Sequence, residues 1–189
     1  MIVLTLSSGH VRNTVFTDEQ RQVIYKTSTP IFGDTTIHKI KPNANQFAMR
    51  DRFEIMGMIE WNIIASTKFL WGGIEVETQS YIPSHGFTGR KRVFTGPDGR
   101  SYRWDLGGGV VVLSLNDGSR TVVARSHRAT LGIIGRRREA TLEISPTVAH
   151  MMDIVIMTFI YVETIRMKKD RSSGNTMGGA MGGVAGGTC

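Results

Sequence analysis

A chain of 189 residues with 40% hydrophobic content can bury one good core, which excludes an arrangement of two large domains. The net charge of +7 favours an anionic partner, and the single cysteine, Cys189, excludes an intramolecular disulfide. We therefore expect a reducing, cytoplasmic setting. The run Met1-Ile2-Val3-Leu4-Thr5-Leu6 has no basic leader and is too short for a signal peptide, so we interpret it as a first strand.

Short strands separated by turn residues follow one another along most of the chain. Two hairpin turns are explicit, at Gly96-Pro97-Asp98-Gly99 and at Asn116-Asp117-Gly118-Ser119. Period-two alternation predicts about twelve strands. They cover residues 2–6, 13–16, 22–27, 35–40, 53–61, 66–70, 74–80, 91–95, 101–106, 110–115, 121–126 and 140–144. Because closure removes exposed edges, strands of this number and shortness predict a mainly β fold that closes into a barrel.

A strongly apolar helix, predicted near 146–167, follows the last strand. From Val148 to Val162 it is interrupted only by His150, Asp153 and Thr158. Crossing a bilayer takes about 20 mostly apolar residues, and an aspartate at the centre of the span would cost roughly 2.5–3.5 kcal/mol. We therefore expect this helix to form the centre of the barrel rather than to cross lipid.

Both ends of the predicted helix carry sequence signals. Ser145 is the expected N-cap with Pro146 at the first helical position, and Arg166, Lys168 and Lys169 are expected to complement the C-terminal dipole. The domain is predicted to cover residues 1–171, and the Gly-rich segment 172–189 is predicted to be a disordered tail. This tail is either an inert linker or, through acylation of its last residue, a membrane anchor.

Four blocks of sequence carry a resemblance to a known group. They are Tyr25-x-Thr27-x-x-Pro30, Ile59-Glu60-Trp61, Arg92-x-Phe94-Thr95-Gly96-Pro97-Asp98-Gly99-x-x-Tyr102-x-Trp104 and Thr158-Phe159-Ile160-Tyr161-Val162-Glu163. Their order resembles an uncharacterised fungal domain family, which looks like a member of the tubby-like group with LURP-one-related proteins and phospholipid scramblases. The resemblance covers nearly everything before Ser172. It implies a closed antiparallel barrel around a hydrophobic C-terminal helix and no established activity. Tubby proteins bind phosphoinositides, but no motif carries their headgroup ligands onto this chain.

Signatures of catalysis are missing from the sequence. There is no Gly-x-Ser-x-Gly elbow, no His-Glu-x-x-His pair and no Walker loop. Gly107-Gly108-Gly109 precedes a strand rather than a helix and lacks the helix N-terminus that holds a phosphate. His150 and Asp153 alone are too few for a zinc site. We therefore expect a non-enzymatic protein without a metal or another cofactor.

The distribution of arginine is the one functional signal. No aspartate or glutamate lies between Gly118 and Arg138, nor in a second stretch between Gly89 and Pro97. Arginine's planar fork suits phosphate and carboxylate better than lysine does. The sequence therefore predicts an anionic-ligand-binding surface if the two stretches meet, and a solvated basic surface otherwise. The candidate residues are Arg90, Lys91, Arg92, Arg120, Arg125, Arg128, Arg136, Arg137 and Arg138.

Three classes of function remain open. The first is binding to anionic phospholipid at a membrane surface, which a polybasic patch and a lipidated Cys189 would together make stable. The alternative is an intracellular protein-interaction scaffold whose arginines face an acidic protein. Nucleic-acid binding fits the charge, but no recognition helix or aromatic platform is evident. We expect a cytoplasmic protein that is peripheral at a membrane.

Overall fold

One antiparallel sheet forms most of the structure. The computed structural model describes residues 1–31, 33–42, 52–62, 66–130 and 138–177, with side chains to residue 172. In this part of the chain there are thirteen strands, two helices and one 3₁₀ segment. The strands are β1 Ile2–Leu6, β2 Thr14–Thr17, β3 Val23–Ser28, β4 Thr35–Ile40, β5 Phe53–Glu60, β6 Lys68–Trp71, β7 Ile74–Glu77, β8 Ser84–His85, β9 Lys91–Thr95, β10 Ser101–Leu106, β11 Val111–Leu115, β12 Val122–His127 and β13 Ala140–Ile144. The helices are α1 Thr78–Tyr81 and α2 Met152–Met177, and the 3₁₀ segment is Pro146–Met151.

All of the strands predicted from the sequence are present, with small differences at their ends. The largest difference is in β7, which ends at Glu77 instead of residue 80 because the chain turns into α1 there. β8 was not predicted, since a strand of two residues has no measurable alternation. Both predicted hairpins are confirmed, joining β9 to β10 and β11 to β12.

The sheet is not closed by backbone hydrogen bonds. Its strand order is β7-β6-β5-β4-β3-β2-β1-β13-β12-β11-β10-β9-β8, so β7 and β8 are the two edges. The predicted closed barrel is therefore not confirmed, because the ladder is open between these two edges. Tyr81 of α1 lies between them and makes ring contacts with Phe69 at 5.9 Å and Phe94 at 6.0 Å. Aromatic packing, and not hydrogen bonding, connects β6 to β9 across the gap.

Helix α2 lies against the inner face of both halves of the sheet. The Phe159 ring contacts Phe16 of β2 at 6.4 Å and Trp104 of β10 at 6.2 Å, and Tyr161 contacts Phe69 of β6 at 5.3 Å. Every residue from 155 to 162 is at most 5% exposed. By length and composition the segment Pro146–Ser172 is long and apolar enough to cross a membrane, but 67% of its apolar window is buried inside the fold. This burial supports the expectation of a core helix.

The start of the helical segment follows the prediction and its end does not. Ser145 is the N-cap and its hydroxyl accepts a hydrogen bond from the backbone N–H of Thr147 at 3.3 Å. α2 continues to Met177, ten residues past the predicted end. Arg166, Lys168 and Lys169 therefore lie inside the helix, and their assignment to its C-terminal dipole is wrong. The backbone of 172–177 is helical rather than disordered, while 178–189 with Cys189 lies outside the described residues.

Candidate functional site

One carboxylate in the C-terminal half of α2 is hydrogen-bonded to three arginines. Asp170 accepts hydrogen bonds from Arg166 at 2.6 Å, from Arg128 at 3.1 Å and from Arg90 at 3.3 Å. Arg90 precedes β9 and Arg128 follows β12, so these two come from the two acid-free stretches of the sequence. The fold therefore brings the two stretches together, as the candidate surface required.

Arg166 is the buried member of this cluster. Its side chain is 2% exposed and makes two hydrogen bonds to the Glu163 carboxylate, at 2.6 and 2.8 Å. These bonds raise the pKa of Arg166 above its usual value, although burial opposes the shift. A buried cation needs such partners because removing its hydration is costly. Arg166 is therefore a structural arginine that is not available to a ligand.

Three further predicted residues lie near the cluster but differ in orientation. Arg138 pairs with Thr130 in an isolated bridge close to Arg128. Lys91 is exposed on the outer face of β9, opposite Asp105. Arg92 is partly buried, and its guanidinium lies 5.8 Å from the Tyr161 ring. Arg92 therefore contributes to the interior near α2.

The remaining predicted residues do not join the cluster. Arg125 is in the middle of β12 on the outer face, opposite Glu143 of β13. Arg120 lies in the β11–β12 hairpin, at the opposite end of these strands from Arg128. Arg136, Arg137 and Cys189 fall outside the described residues. The sequence analysis grouped the predicted cations because they are close in the chain. In the structure, the described ones are distributed over both ends of the strands and the outer face of the sheet.

The structure reveals a cleft that the sequence analysis missed. It has a volume of about 520 Å³ and lies between two loops and residues 164–171 of α2. Among the described residues, no aspartate or glutamate lines it. Its lining residues are Ser8, His10, Val11, Arg12, Asn13, Thr29, Pro30, Ile31, Thr164, Met167, Lys168 and Arg171. The sequence signal for this cleft was the spacing of Thr164, Met167, Lys168 and Arg171, which places these four residues along one side of a helix.

Arg12 is the fixed cation of this cleft. Its Nε donates to Thr35 Oγ1 at 3.2 Å, its Nη2 donates to the Gly33 carbonyl at 2.9 Å, and the guanidinium lies 5.0 Å from the Trp61 ring. Burial lowers the pKa of Arg12, and the nearby Asp34 carboxylate opposes that shift. Arg12 is thus held rigidly in a partly dehydrated position. With Arg90, Arg128, Lys168, Lys169 and Arg171 it forms what we call the basic rim, whose members lie on or against residues 164–171 of α2.

Two exposed apolar side chains flank the basic rim. Ile31 is 91% exposed and lines the cleft, while Phe87 is fully exposed. Phe87 precedes Thr88, whose carbonyl accepts a hydrogen bond from Lys169 of α2 at 3.1 Å. Both apolar residues therefore lie on loops at the same end of the fold as the rim.

The opposite end of the fold is mixed in charge, and its Asp153 and Asp98 carboxylates are hydrogen-bonded. Asp153 accepts hydrogen bonds from the Tyr25 hydroxyl at 2.5 Å and from Lys39 at 2.8 Å. Tyr102 donates to Asp98 at 2.7 Å, and burial together with this bond raises the pKa of Tyr102 to about 12. Within the described residues, no three His, Cys, Asp or Glu side chains are grouped to hold a metal ion.

The comparisons with known proteins identify a family and no activity. Residues 9–168 match DUF6593, a family of unknown function. The chain belongs to this family. The X-ray structure of a protein from Arabidopsis thaliana is similar with a TM-score of 0.45 and 12% identity, over 87% of this chain and 90% of that chain. No curated protein matches the chain. The wider resemblance to the tubby-like group stays a prediction.

Proposed function

We propose that this member of DUF6593 is a non-enzymatic module that docks on an anionic membrane surface through the basic rim. The observation that supports the proposal is the convergence of cations from separate segments at one end of the fold. Within the described part of the chain, the acidic neighbours of the arginines there are Glu163, Asp170 and Asp34. Each exposed cation near an anionic leaflet contributes roughly 1 kcal/mol, so several acting together suffice for reversible attachment.

The flanking apolar residues favour a membrane over other anionic partners. Ile31 and Phe87 are exposed beside the cations, and a combination of basic and apolar side chains on one surface is typical of proteins that bind at the lipid interface. A basic surface that has only water as its partner gives no reason for exposed apolar side chains beside its cations. A single-stranded nucleic acid would require several open aromatic platforms between the cations, whereas the Trp61 ring is covered by Arg12 and Lys168, and Phe87 is the one fully exposed aromatic side chain among the described residues of this end.

The tubby-like resemblance is part of the same proposal. A sheet curled around an apolar C-terminal helix is the arrangement that the resemblance implies, and Tyr81 packs across the open edge that hydrogen bonds leave. We propose that the fold is a tubby-like barrel whose closure is made by side chains.

The test compares apolar substitutions at two places on the surface. Changing Ile31→Ser and Phe87→Ser together should weaken binding to phosphatidylserine-containing vesicles about tenfold or more, because a fully buried large apolar side chain is worth about 1.5–3 kcal/mol. The matched control is Ile55→Ser with Ile74→Ser, which lie 69% and 57% exposed on β5 and β7. Vesicle flotation at low salt measures both. If the wild-type protein ignores these vesicles, the membrane proposal fails.

A protein-interaction scaffold is the second candidate, and a separate observation favours it. Ile55 and Ile74 line a shallow groove of about 330 Å³ beside the edge strand β7. Exposed apolar side chains next to unpaired backbone groups are suited to an added strand from another chain. If the Ile55 and Ile74 substitutions abolish a cellular association that the Ile31 and Phe87 substitutions leave intact, the scaffold function takes precedence.

A further inference from the structure

We propose that the cleft lined by Arg12, Lys168 and Arg171, called the Arg12 cleft below, binds one phosphate monoester. This goes beyond attachment by diffuse charge, because it assigns a site of defined stoichiometry and ligand chemistry. The inference rests on the proposed function only where the monoester is the headgroup of a membrane lipid. A soluble phosphate ester would use the same contacts.

The walls of the Arg12 cleft differ in rigidity. One wall is the loop before β2, where two hydrogen bonds and the Trp61 ring hold Arg12 in a single orientation. The opposite wall is α2, which presents Thr164, Lys168 and Arg171 on one side. A guanidinium has five N–H donors, and the two bonds of Arg12 leave donors free for an oxygen of a ligand. The loop wall therefore presents a guanidinium in a fixed orientation, and the α2 wall presents two cations on exposed side chains, Lys168 and Arg171.

The charge of the Arg12 cleft is not neutralised from within. Within the described residues neither Lys168 nor Arg171 has a carboxylate partner, and both are exposed. In the same described ranges, Asp34 is the acidic neighbour of Arg12, and it does not line the cleft. The cleft thus has three cations, and the one acidic neighbour lies outside it. This charge matches a phosphate monoester, which carries about 1.5–2 negative charges at neutral pH, better than it matches a carboxylate, which carries one negative charge.

The remaining lining residues suit an ester rather than a free phosphate ion. Ser8, Asn13 and Thr29 supply neutral hydrogen-bonding groups, while Val11, Pro30 and Met167 supply apolar surface. A volume of about 520 Å³ is in the usual range of small-molecule sites and exceeds what one phosphate group fills. The site therefore has room for the phosphate together with the alcohol to which it is bonded.

The experiment measures binding with a soluble probe and with vesicles. Glycerol 3-phosphate is titrated into the full chain by calorimetry, and flotation compares vesicles that contain phosphatidic acid with vesicles that contain phosphatidylserine at equal zeta potential. The test variant is Lys168→Gln with Arg171→Gln. The control is Lys41→Gln with Arg100→Gln, which removes the same charge from exposed positions at the opposite end. Thermal melts verify that both variants are folded.

The expected result is saturable binding of one glycerol 3-phosphate, or a preference for phosphatidic acid, that the test variant weakens about tenfold per removed cation and the control leaves unchanged. Binding of the soluble probe without vesicle binding would support the cleft and overturn the membrane function. Equal binding of both vesicle types with no binding of glycerol 3-phosphate would overturn the cleft and leave the membrane function standing. Equal losses of binding in the test and control variants would also overturn the proposed phosphate site in the Arg12 cleft.

Discussion

Asp170 is expected to restrain the basic rim, so neutralising it should strengthen binding to anionic vesicles. The carboxylate occupies Arg90 and Arg128 at 3.3 and 3.1 Å and so competes with any external anion for them. In Asp170→Asn one negative charge leaves the rim, which near an anionic leaflet corresponds to roughly 1 kcal/mol, or about fivefold in affinity. Arg166 keeps its two bonds to Glu163, so the loss of stability should be limited to about 1–3 kcal/mol.

A matched charge change elsewhere separates local from global effects. Glu19→Gln adds the same net charge but lies in the exposed β2–β3 turn, at the end of these strands opposite the rim. Because charges are screened over about 8 Å at physiological ionic strength, it should leave vesicle affinity nearly unchanged. Flotation at several salt concentrations and urea denaturation measure the two quantities. If Asp170→Asn binds no more tightly than Glu19→Gln, Asp170 does not compete for the rim arginines.

Two further predictions concern the core. Phe159→Ala should lower the free energy of unfolding by about 3–5 kcal/mol, since the ring is 2% exposed against Trp104, whereas Phe87→Ala should change it little; equal urea midpoints for the two variants would contradict the central position of α2. Stability should also fall as the pH rises from about 10, the pKa of an unperturbed tyrosine, towards the folded value of about 12 for Tyr102. The unfolded chain loses that proton first. Urea midpoints at both ends of this interval measure the decline, and Tyr102→Phe, which removes the hydroxyl bonded to Asp98, should reduce it. A wild-type midpoint that is constant over this interval would contradict the assignment.

Local patterns in the sequence were sufficient for the strands, the turns and the start of the helix. Alternation, turn residues and an N-cap each depend on neighbours in the chain, which is why the Gly96-Pro97-Asp98-Gly99 hairpin and the Ser145 cap were predicted in place. Asp153 and the broken apolar run favoured a core position for α2, but length and composition alone also allow a membrane span, so the burial of its apolar window in the fold was needed to support that position.

The site and the closure of the sheet were decided by the tertiary structure. Arg12 and Lys168 meet only because β1, β2 and α2 are adjacent in space, and no periodicity relates residues so far apart in the chain. The contacts of Asp170, which lies beyond the predicted end of the helix, were also out of reach of local patterns, since its partners precede β9 and follow β12. Sequence patterns report which face a residue presents on its own element. Strand order, register and the open edge between β7 and β8 depend on how those elements pair, and the free energy of pairing comes from contacts between residues far apart in the chain.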